Sequence, residues 1–398
     1  MTKKLALKSF RLKNFKAIHD SGVVKFSPLT VLIGDNGSGK SSLVEGLQTY
    51  QRITKDGLDE AMQMWRGFEN IVNPPIKQLN DARQFSQNID GIEFSIEGET
   101  ETDAFCFFMK INMNRNDSTI FIESEKLELS GRIVFERDIH GDLFDETNQK
   151  IAKRLLAGQS GFQTFWSVAK TEEQRTISWE IFRRMIDWQF VTLQPRWMGE
   201  PHPIQRTEGN IRLNQAGSNI TEYLLDIMRR FPDAFAGIVE TLQYILPYAR
   251  RLQPVLTSEL EQAVHLELIE EEYRVKGWLL STGTLRLLAL LALFRHPEPP
   301  PLIVIEEIEN GLDPRTIHLI VDEIQDLVES GLSQVIVTTH SPYLLDLLPL
   351  STIVLVERGE FGPTFSRPAD DDSIQNWSKK FAPGKLYTMG NLNRHLAL

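Results

Sequence analysis

One cysteine, Cys106, stands in a chain of 398 residues. A single thiol closes no intramolecular disulfide and makes no Cys-x-x-Cys zinc hook or redox pair, so it reads as a buried packing residue in a reducing cytoplasm. Positive charge is also short: 43 Lys and Arg face 54 Asp and Glu, a net charge of −11. That balance excludes a protein that coats nucleic acid or an anionic membrane with its whole surface and leaves only a local basic groove open. Long apolar runs are missing too. The most apolar stretch, Leu279 to Phe294, is interrupted by Ser281, Thr282, Thr284 and Arg286 and is shorter than the roughly 20 residues that span a bilayer. Met1 to Lys16 is basic and polar, without the apolar segment of a secretory signal. No heptad pattern persists, which argues against a long coiled coil.

What is present is an ordinary globular composition, 41% hydrophobic, enough for one large or two modest cores. Leu5 to Phe15 and Val23 to Phe26 read as short strands around the turn Asp20-Ser21-Gly22. Leu29 to Ile33 is an apolar run of the kind buried on both faces of a parallel sheet, and Ser41 to Tyr50 is helical in character. Pro74-Pro75 breaks the next segment, before Gly91 to Glu97 and Phe105 to Met113 resume as antiparallel strands. From about Asn116 to Leu260 the pattern predicts mixed helices, with Trp166, Trp179, Trp188 and Trp197 read as core aromatics rather than base-stacking platforms.

Strand and helix alternate again in the last third. Leu302 to Ile305, Val335 to Thr339 and Thr352 to Val356 read as strands, and Thr316 to Val328 as an amphipathic helix. Ser341 to Leu348 reads as a helix with Ser341 as N-cap and Pro342 in its first turn. Pro368 to Leu398, with the acidic run Asp370-Asp371-Asp372, reads as a polar tail or docking segment.

Two segments carry chemistry. Gly34-Asp35-Asn36-Gly37-Ser38-Gly39-Lys40-Ser41 fits G-x-x-x-x-G-K-[ST] between a buried strand and a helix, the context that motif requires. Glycines let consecutive N–H groups turn inward, and the helix N-terminus adds partial positive charge, so Gly34, Asn36, Gly37, Ser38, Gly39, Lys40, Ser41 and Ser42 form a cradle for the phosphates of ATP. Lys40 supplies charge to the β- and γ-phosphates and Ser41 offers a hydroxyl to Mg²⁺. The second segment is the strand Leu302 to Ile305 running into Glu306-Glu307. Adjacent carboxylates repel unless a cation or bound water lies between them. Glu306 is therefore assigned to the metal shell and Glu307 to orienting and deprotonating the attacking water.

Taken together with Leu280-Ser281-Thr282-Gly283-Thr284-Leu285-Arg286, Ile308-Glu309-Asn310-Gly311-Leu312-Asp313-Pro314 and Thr339-His340-Ser341-Pro342, these segments resemble the RecF/SMC-like AAA-family ATPases with ABC-type heads. The likeness covers roughly the first hundred residues and everything after about Val275. It implies an α/β fold: an ABC-type P-loop NTPase head, a mixed sheet plus an antiparallel β subdomain, interrupted by a mainly helical arm or lid. The implied divisions are 1–115 for the first part of the head, 116–260 for the arm, 261–366 for the second part of the head and 367–398 for the tail. The resemblance makes Ser281 and Gly283 a signature that caps the nucleotide of an opposing subunit, Asp313 part of the crossing D-loop, and His340 the switch histidine at the γ-phosphate. Three positions depart from the family pattern: Glu306 where Asp is commoner, Ile308 in place of a proline, and Asp313 where close relatives carry histidine. No residue is assigned to sensing Mg²⁺, since Gln63, Gln78, Gln84 and Gln87 are all placeable.

Members of this family form homodimers on ATP, and many act in bacterial anti-phage defence beside a separate effector such as a nuclease or TOPRIM-like chain. That is the expected role, with no membrane partner. A DNA-binding repair ATPase is the alternative, with Arg229-Arg230 and Arg250-Arg251 as its cationic clusters. A transporter subunit is disfavoured because a whole domain's length separates Lys40 from Ser281.

Overall fold

A computed structural model describes residues 6–73, 91–100, 102–114, 116–152, 154–168, 171–204, 211–257 and 263–392. Pro74-Pro75, Gln78, Gln84, Gln87 and the side chain of Trp166 lie outside this description. The chain divides into two compact units, Met1–Trp188 with Ser351–Asp371, and Gln189–Leu350 with Asp372–Leu398. The architecture is α/β, with mixed and antiparallel sheets.

In the first unit, the strand Leu29–Ile33 is buried at every position and pairs in parallel with Ile353–Gly359, which pairs antiparallel with Gly362–Ser366. A strand flanked on both faces has no polar side to present, which is why its sequence reads as a continuous apolar run. The helix Lys40–Asp56 follows it. A separate antiparallel sheet is led by Ala6–Phe15, which pairs with Ile92–Glu99, in turn paired with Ala104–Met113. Here apolar residues alternate: Ile92, Phe94 and Ile96 on one strand and Phe105, Phe107, Met109 and Ile111 on the next are buried. The period of two turns one face towards Tyr50 of the helix and Phe162 of the helix Gly161–Val168. Each large side chain buried in this way stabilises the fold by about 1.5–3 kcal/mol.

The helices expected from Asn116 begin only at Gly161. Residues 120–152 continue the antiparallel sheet as Ile120–Leu129, Arg132–Arg137, Leu143–Phe144 and Lys150–Ala152. The first of these turns back through Ser130 and Gly131, at φ 46° and 79°, a two-residue hairpin of the left-handed kind whose twist matches the strands it joins. Lys126, Glu128 and Glu136 alternate with the buried apolar residues of this stretch, and the two charges that are buried, Glu125 and Arg137, mask its period-two pattern. The tryptophans divide in a similar way: Trp188 is buried, whereas Trp179 and Trp197 are 43% and 47% exposed. Cys106 is half-buried on its strand rather than enclosed, and burial raises its thiol pKa.

The second unit holds a parallel run of three strands, Gln189–Val191, Leu302–Ile305 and Gln334–Thr339. Every residue of these strands is buried, and the helices Thr282–Phe294 and Pro314–Ser330 belong to the same unit. A second sheet pairs Ala249–Leu256 with Ala263–Glu270 and carries the helices Ile220–Arg230 and Pro232–Ile245. The segment read as a polar tail contains the helices Asp372–Ser378 and Pro383–Thr388. It docks on its own unit: Gly384 N–H donates to Asp346 Oδ1 at 2.7 Å, at the end of the helix Pro342–Asp346. No helix among the described residues is long and apolar enough to cross a membrane.

One buried polar knot ties the antiparallel sheet to the helix at Gly161. Glu125, 1% exposed, accepts from Ser160 Oγ and from Gly161 N–H, both at 2.6 Å. Arg137, also buried, donates to the main-chain oxygens of Ile122, Leu156 and Ala157. Burial raises the Glu125 pKa above 4.5, against the opposing pull of Ser160, Gly161 and Arg137. A carboxyl whose folded pKa is raised favours the folded chain most below its unfolded value, and that contribution fades as pH rises through the folded pKa. Denaturant melts of wild type and Glu125→Gln should therefore differ in pH response. As pH falls from neutral towards 4.5, wild type gains stability relative to Glu125→Gln; a constant difference would contradict this reading.

Candidate functional site

The phosphate-loop motif lies in the first unit, as a turn between Leu29–Ile33 and the helix Lys40–Asp56. Gly37 and Gly39 have φ of 76° and 113°, left-handed values that L side chains rarely adopt. A Cβ at Gly39 would also stand 2.4 Å from Pro363 Cγ, so this loop closes only with glycine there. Lys40 is 6% exposed, and its Nζ folds back to donate to the main-chain oxygens of Gly34 at 2.7 Å and Asp35 at 3.0 Å. Asp35, Asn36, Gly37 and Ser41 are exposed, with Ser42 half-buried. Ser38 Oγ is buried and has no hydrogen-bond partner. An orphaned hydroxyl in a glycine-rich turn ahead of a long helix is a fit for a phosphate oxygen.

The remaining motif residues lie together in the second unit. Glu306 follows the strand Leu302–Ile305 and accepts from Thr192 Oγ1 at 3.1 Å. Glu307 sits next, exposed, with φ 49°. A left-handed non-glycine residue costs on the order of 1–3 kcal/mol and persists only where its surroundings hold it. Several bonds do so here. Its N–H donates to Thr338 Oγ1 at 2.9 Å, and its carbonyl accepts from Asn310 N–H at 3.0 Å and Arg286 Nη2 at 2.8 Å. Asn310 Nδ2 donates to its carboxylate at 3.3 Å, and Ile308, fully buried, pins the turn from below. The apolar residue at 308 thus does by burial what a proline would do by fixing φ.

His340 follows the strand Gln334–Thr339, half-buried, and its N–H donates to Glu309 Oε1 at 2.6 Å. Glu309 Oε2 is buried without a hydrogen-bond partner. Ser341 caps the next helix by accepting from Leu344 N–H, with Pro342 in its first turn, as expected. Ser281 is likewise a helix cap, accepting from Thr284 N–H at 3.1 Å. Gly283 lies so near the turn after the carboxylates that a Cβ there would stand 2.7 Å from Gly311 O. The structure thus gathers Glu306, Glu307, His340, Ser281, Gly283 and Asp313 within one unit and holds Gly34 to Ser42 in the other.

Three residues given no role of their own from sequence prove to hold the Glu306-Glu307 turn, Thr192, Arg286 and Thr338, and Glu309 holds the His340 main chain. Only Arg286 left a sequence signal, as the one charge in the otherwise apolar helix Thr282–Phe294. Thr192 directly follows the strand Gln189–Val191 and Thr338 lies on Gln334–Thr339, and neither stands out until the fold brings it to the turn.

Asp313 has both carboxylate oxygens engaged by its own helix. Oδ1 accepts from Arg315 N–H and Thr316 N–H, and Oδ2 from Thr316 Oγ1 at 2.6 Å. The Thr316 hydroxyl in particular holds its pKa below 3.8. A lowered folded pKa contributes stability above the unfolded value that is lost as pH falls through the folded one. Asp313→Ala should cost about 1 kcal/mol in urea unfolding at neutral pH, and Asp313→Asn, an equally good cap, only a few tenths. The alanine penalty should shrink below pH 3.8; equal penalties for the two variants would place the aspartate's role elsewhere.

The family model described as "AAA domain, putative AbiEii toxin, Type IV TA system" matches residues 29–346. A protein of Helicobacter pylori described as an ATP/GTP phosphatase is 19% identical over 356 residues, covering 86% of this chain and 87% of its own. Among solved structures, an SMC head bound to the C-terminal winged-helix domain of ScpA superposes with a TM-score of 0.55 at 15% identity, covering 91% of this chain and 97% of that one. An SMC head with an extended coiled coil from Pyrococcus furiosus, bound to the C-terminal domain of ScpA, gives 0.51 at 14% identity, covering 94% and 100%. The family match takes in both the phosphate loop and the paired carboxylates, and the chain belongs to this AAA-domain family, with the fold of an SMC-type ATPase head.

Proposed function

We propose that this chain is a Mg²⁺-dependent ATP hydrolase that pairs with a second copy of itself when ATP binds and uses that change to gate a separate effector. The observation that carries the proposal is the constrained Glu306-Glu307 turn, in which the fold holds the left-handed Glu307 and its neighbouring carboxylate in place with Thr192, Thr338, Asn310 and Arg286. Strain maintained by so many partners is characteristic of working sites. The relative described as an ATP/GTP phosphatase supports hydrolysis.

In this reading the N–H groups from Gly34 to Ser42 and the Lys40 ammonium bind the triphosphate, with Ser38 Oγ supplying a donor. Ser41 and Glu306 would hold Mg²⁺, which when bound would supply positive charge against the triphosphate. Glu307 orients the attacking water and takes its proton, and His340 faces the γ-phosphate. Catalysis of phosphoryl transfer is chiefly positioning and electrostatics, which agrees with carboxylates held by hydrogen bonds rather than left to swing. Ser281, Gly283 and the Asp313 turn serve the nucleotide of the second copy. Of the stretch 116–260, the helices Ile220–Arg230 and Pro232–Ile245 with the sheet that carries them, rather than the strands of 120–152 and Gln189–Val191, act as the arm that relays closure.

The effector is a separate nuclease or TOPRIM-like chain, and the setting is anti-phage defence in the bacterial cytoplasm. A family named for the AbiEii toxin of type IV toxin–antitoxin systems favours that setting. SMC heads caught with ScpA domains favour a head that carries a partner.

The alternative, a DNA-binding repair ATPase, keeps one supporting feature. Arg250 and Arg251 are exposed at an irregularity in their strand, whereas Arg230 is engaged by Asp226 and Glu298. If duplex DNA binds, removing Arg250 and Arg251 together should lower affinity and flatten its salt dependence by about two units. Unchanged binding by that double variant would end the DNA reading.

The main proposal predicts that Lys40→Ala loses ATP binding by calorimetry. It also predicts that Glu307→Gln binds ATP and, with ATP and Mg²⁺, accumulates a particle of twice the 45.6 kDa chain mass in light scattering. A Lys40→Ala chain that binds ATP normally, or a Glu307→Gln chain that stays monomeric with ATP bound, would contradict it.

A further inference from the structure

Arg286 is the only charged residue of the helix Thr282–Phe294, and it is 4% exposed. Among the described residues its guanidinium pairs with no carboxylate. It spans two main-chain carbonyls instead, Nη1 donating to Leu193 O at 3.0 Å and Nη2 to Glu307 O at 2.8 Å, while its Nε–H is buried without a partner. Burial lowers its pKa, and the more distant charges of Glu307 and Glu309 pull the other way. A buried cation satisfied only by carbonyls is a poor device for stability, since an apolar side chain would fill the same helix position without the desolvation cost. What the guanidinium does supply is geometry: a planar fork that fixes two carbonyls relative to one helix.

One of those carbonyls belongs to the left-handed residue of the carboxylate turn. The Glu307 peptide is held at its N–H by Thr338 Oγ1 and at its carbonyl by Asn310 N–H and Arg286. Of these three, only Arg286 lies on the helix that Ser281 caps. The same helix start touches the turn a second time, because a Cβ at Gly283 would stand 2.7 Å from Gly311 O and one at Gly311 would stand 3.5 Å from Arg286 Cδ.

We infer that Arg286 is a positioning residue: it locks the Glu307 main chain in its left-handed turn and joins the start of the Ser281-capped helix mechanically to the carboxylate that activates water. This deepens the proposed function and rests on it. Arg286 itself touches no nucleotide. A shift at the helix start, where the second copy's nucleotide would be met, passes through the guanidinium to the Glu307 carbonyl, so hydrolysis in one copy responds to engagement of the other.

The test uses the full chain, steady-state ATP hydrolysis, and binding of a fluorescent N-methylanthraniloyl-ATP, with thermal melts as a control for folding. Arg286→Gln should lower kcat by about 10- to 100-fold, the cost of misplacing a reacting group by on the order of 1 Å, while the Kd of the analogue changes by no more than about twofold. Arg286→Lys, which keeps the charge but cannot fork across both carbonyls, should fall between wild type and Arg286→Gln. A residue acting only through Glu307 is non-additive with it. Arg286→Gln added to Glu307→Gln should therefore slow the residual rate no further, whereas a general structural role would lower it again. If Arg286→Gln fails to melt cooperatively, Arg286→Lys carries the test on the same readouts. Wild-type kcat in either folded variant, a loss confined to KM, or additivity with Glu307→Gln would overturn the inference. If wild type itself shows no hydrolysis that Lys40→Ala abolishes, the functional reading fails rather than this one.

Discussion

The structure depends most on holding one glutamate in a backbone conformation that it would not adopt alone. Glu307 sits at φ 49° directly after Glu306, so the chain must offset both backbone strain and the repulsion of neighbouring carboxylates. The means are specific. A strand buried at every residue, Leu302–Ile305, fixes the approach, Ile308 fixes the exit, and Thr192, Thr338, Asn310 and Arg286 take up the polar groups between. Removing that support would let the turn relax and the Glu307 carboxylate move.

The phosphate loop meets a comparable demand by a different route. It carries no acidic repulsion, but it must curl tightly enough for successive N–H groups to converge, and glycine at 37 and 39 provides the left-handed backbone. Lys40 folds onto the Gly34 and Asp35 carbonyls, so its ammonium is desolvated and held at the loop rather than extended into solvent. Its charge is therefore already placed before an anion arrives, which lowers the ordering cost of binding.

Much of this was legible in the sequence, and the reasons for what was not are physical. Leu29–Ile33 and Leu302–Ile305 could be read to the residue because each is a fully buried strand ending at a change of character, Gly34 in one and Glu306 in the other. The cap at Ser341 was equally plain, since a hydroxyl followed by proline specifies a helix start. The strands of 120–152 were missed because their exposed face is heavily charged, Glu123, Lys126, Glu128 and Glu136 among them, and because Ser130-Gly131 is a weaker turn signal than Asn-Gly. The exposure of Trp179 and Trp197 was hidden for a related reason: aromatic residues at helix and loop edges look like core until packing is known. The supports of the carboxylate turn were hardest of all. Thr192 just past one strand and Thr338 on another are far apart in sequence, and parallel pairing brings the ends of such strands together without local pattern.

The claim on which the account rests is that Glu307 activates the water that cleaves ATP. Single-turnover hydrolysis, with enzyme in excess over γ-labelled ATP and Mg²⁺ present, tests it most directly. The account predicts that wild type converts all bound ATP to ADP and phosphate, while Glu307→Gln holds the same ATP and releases phosphate slower by at least about 100-fold, the scale of a lost general base. Equal single-turnover rates for the two would show that the base lies elsewhere.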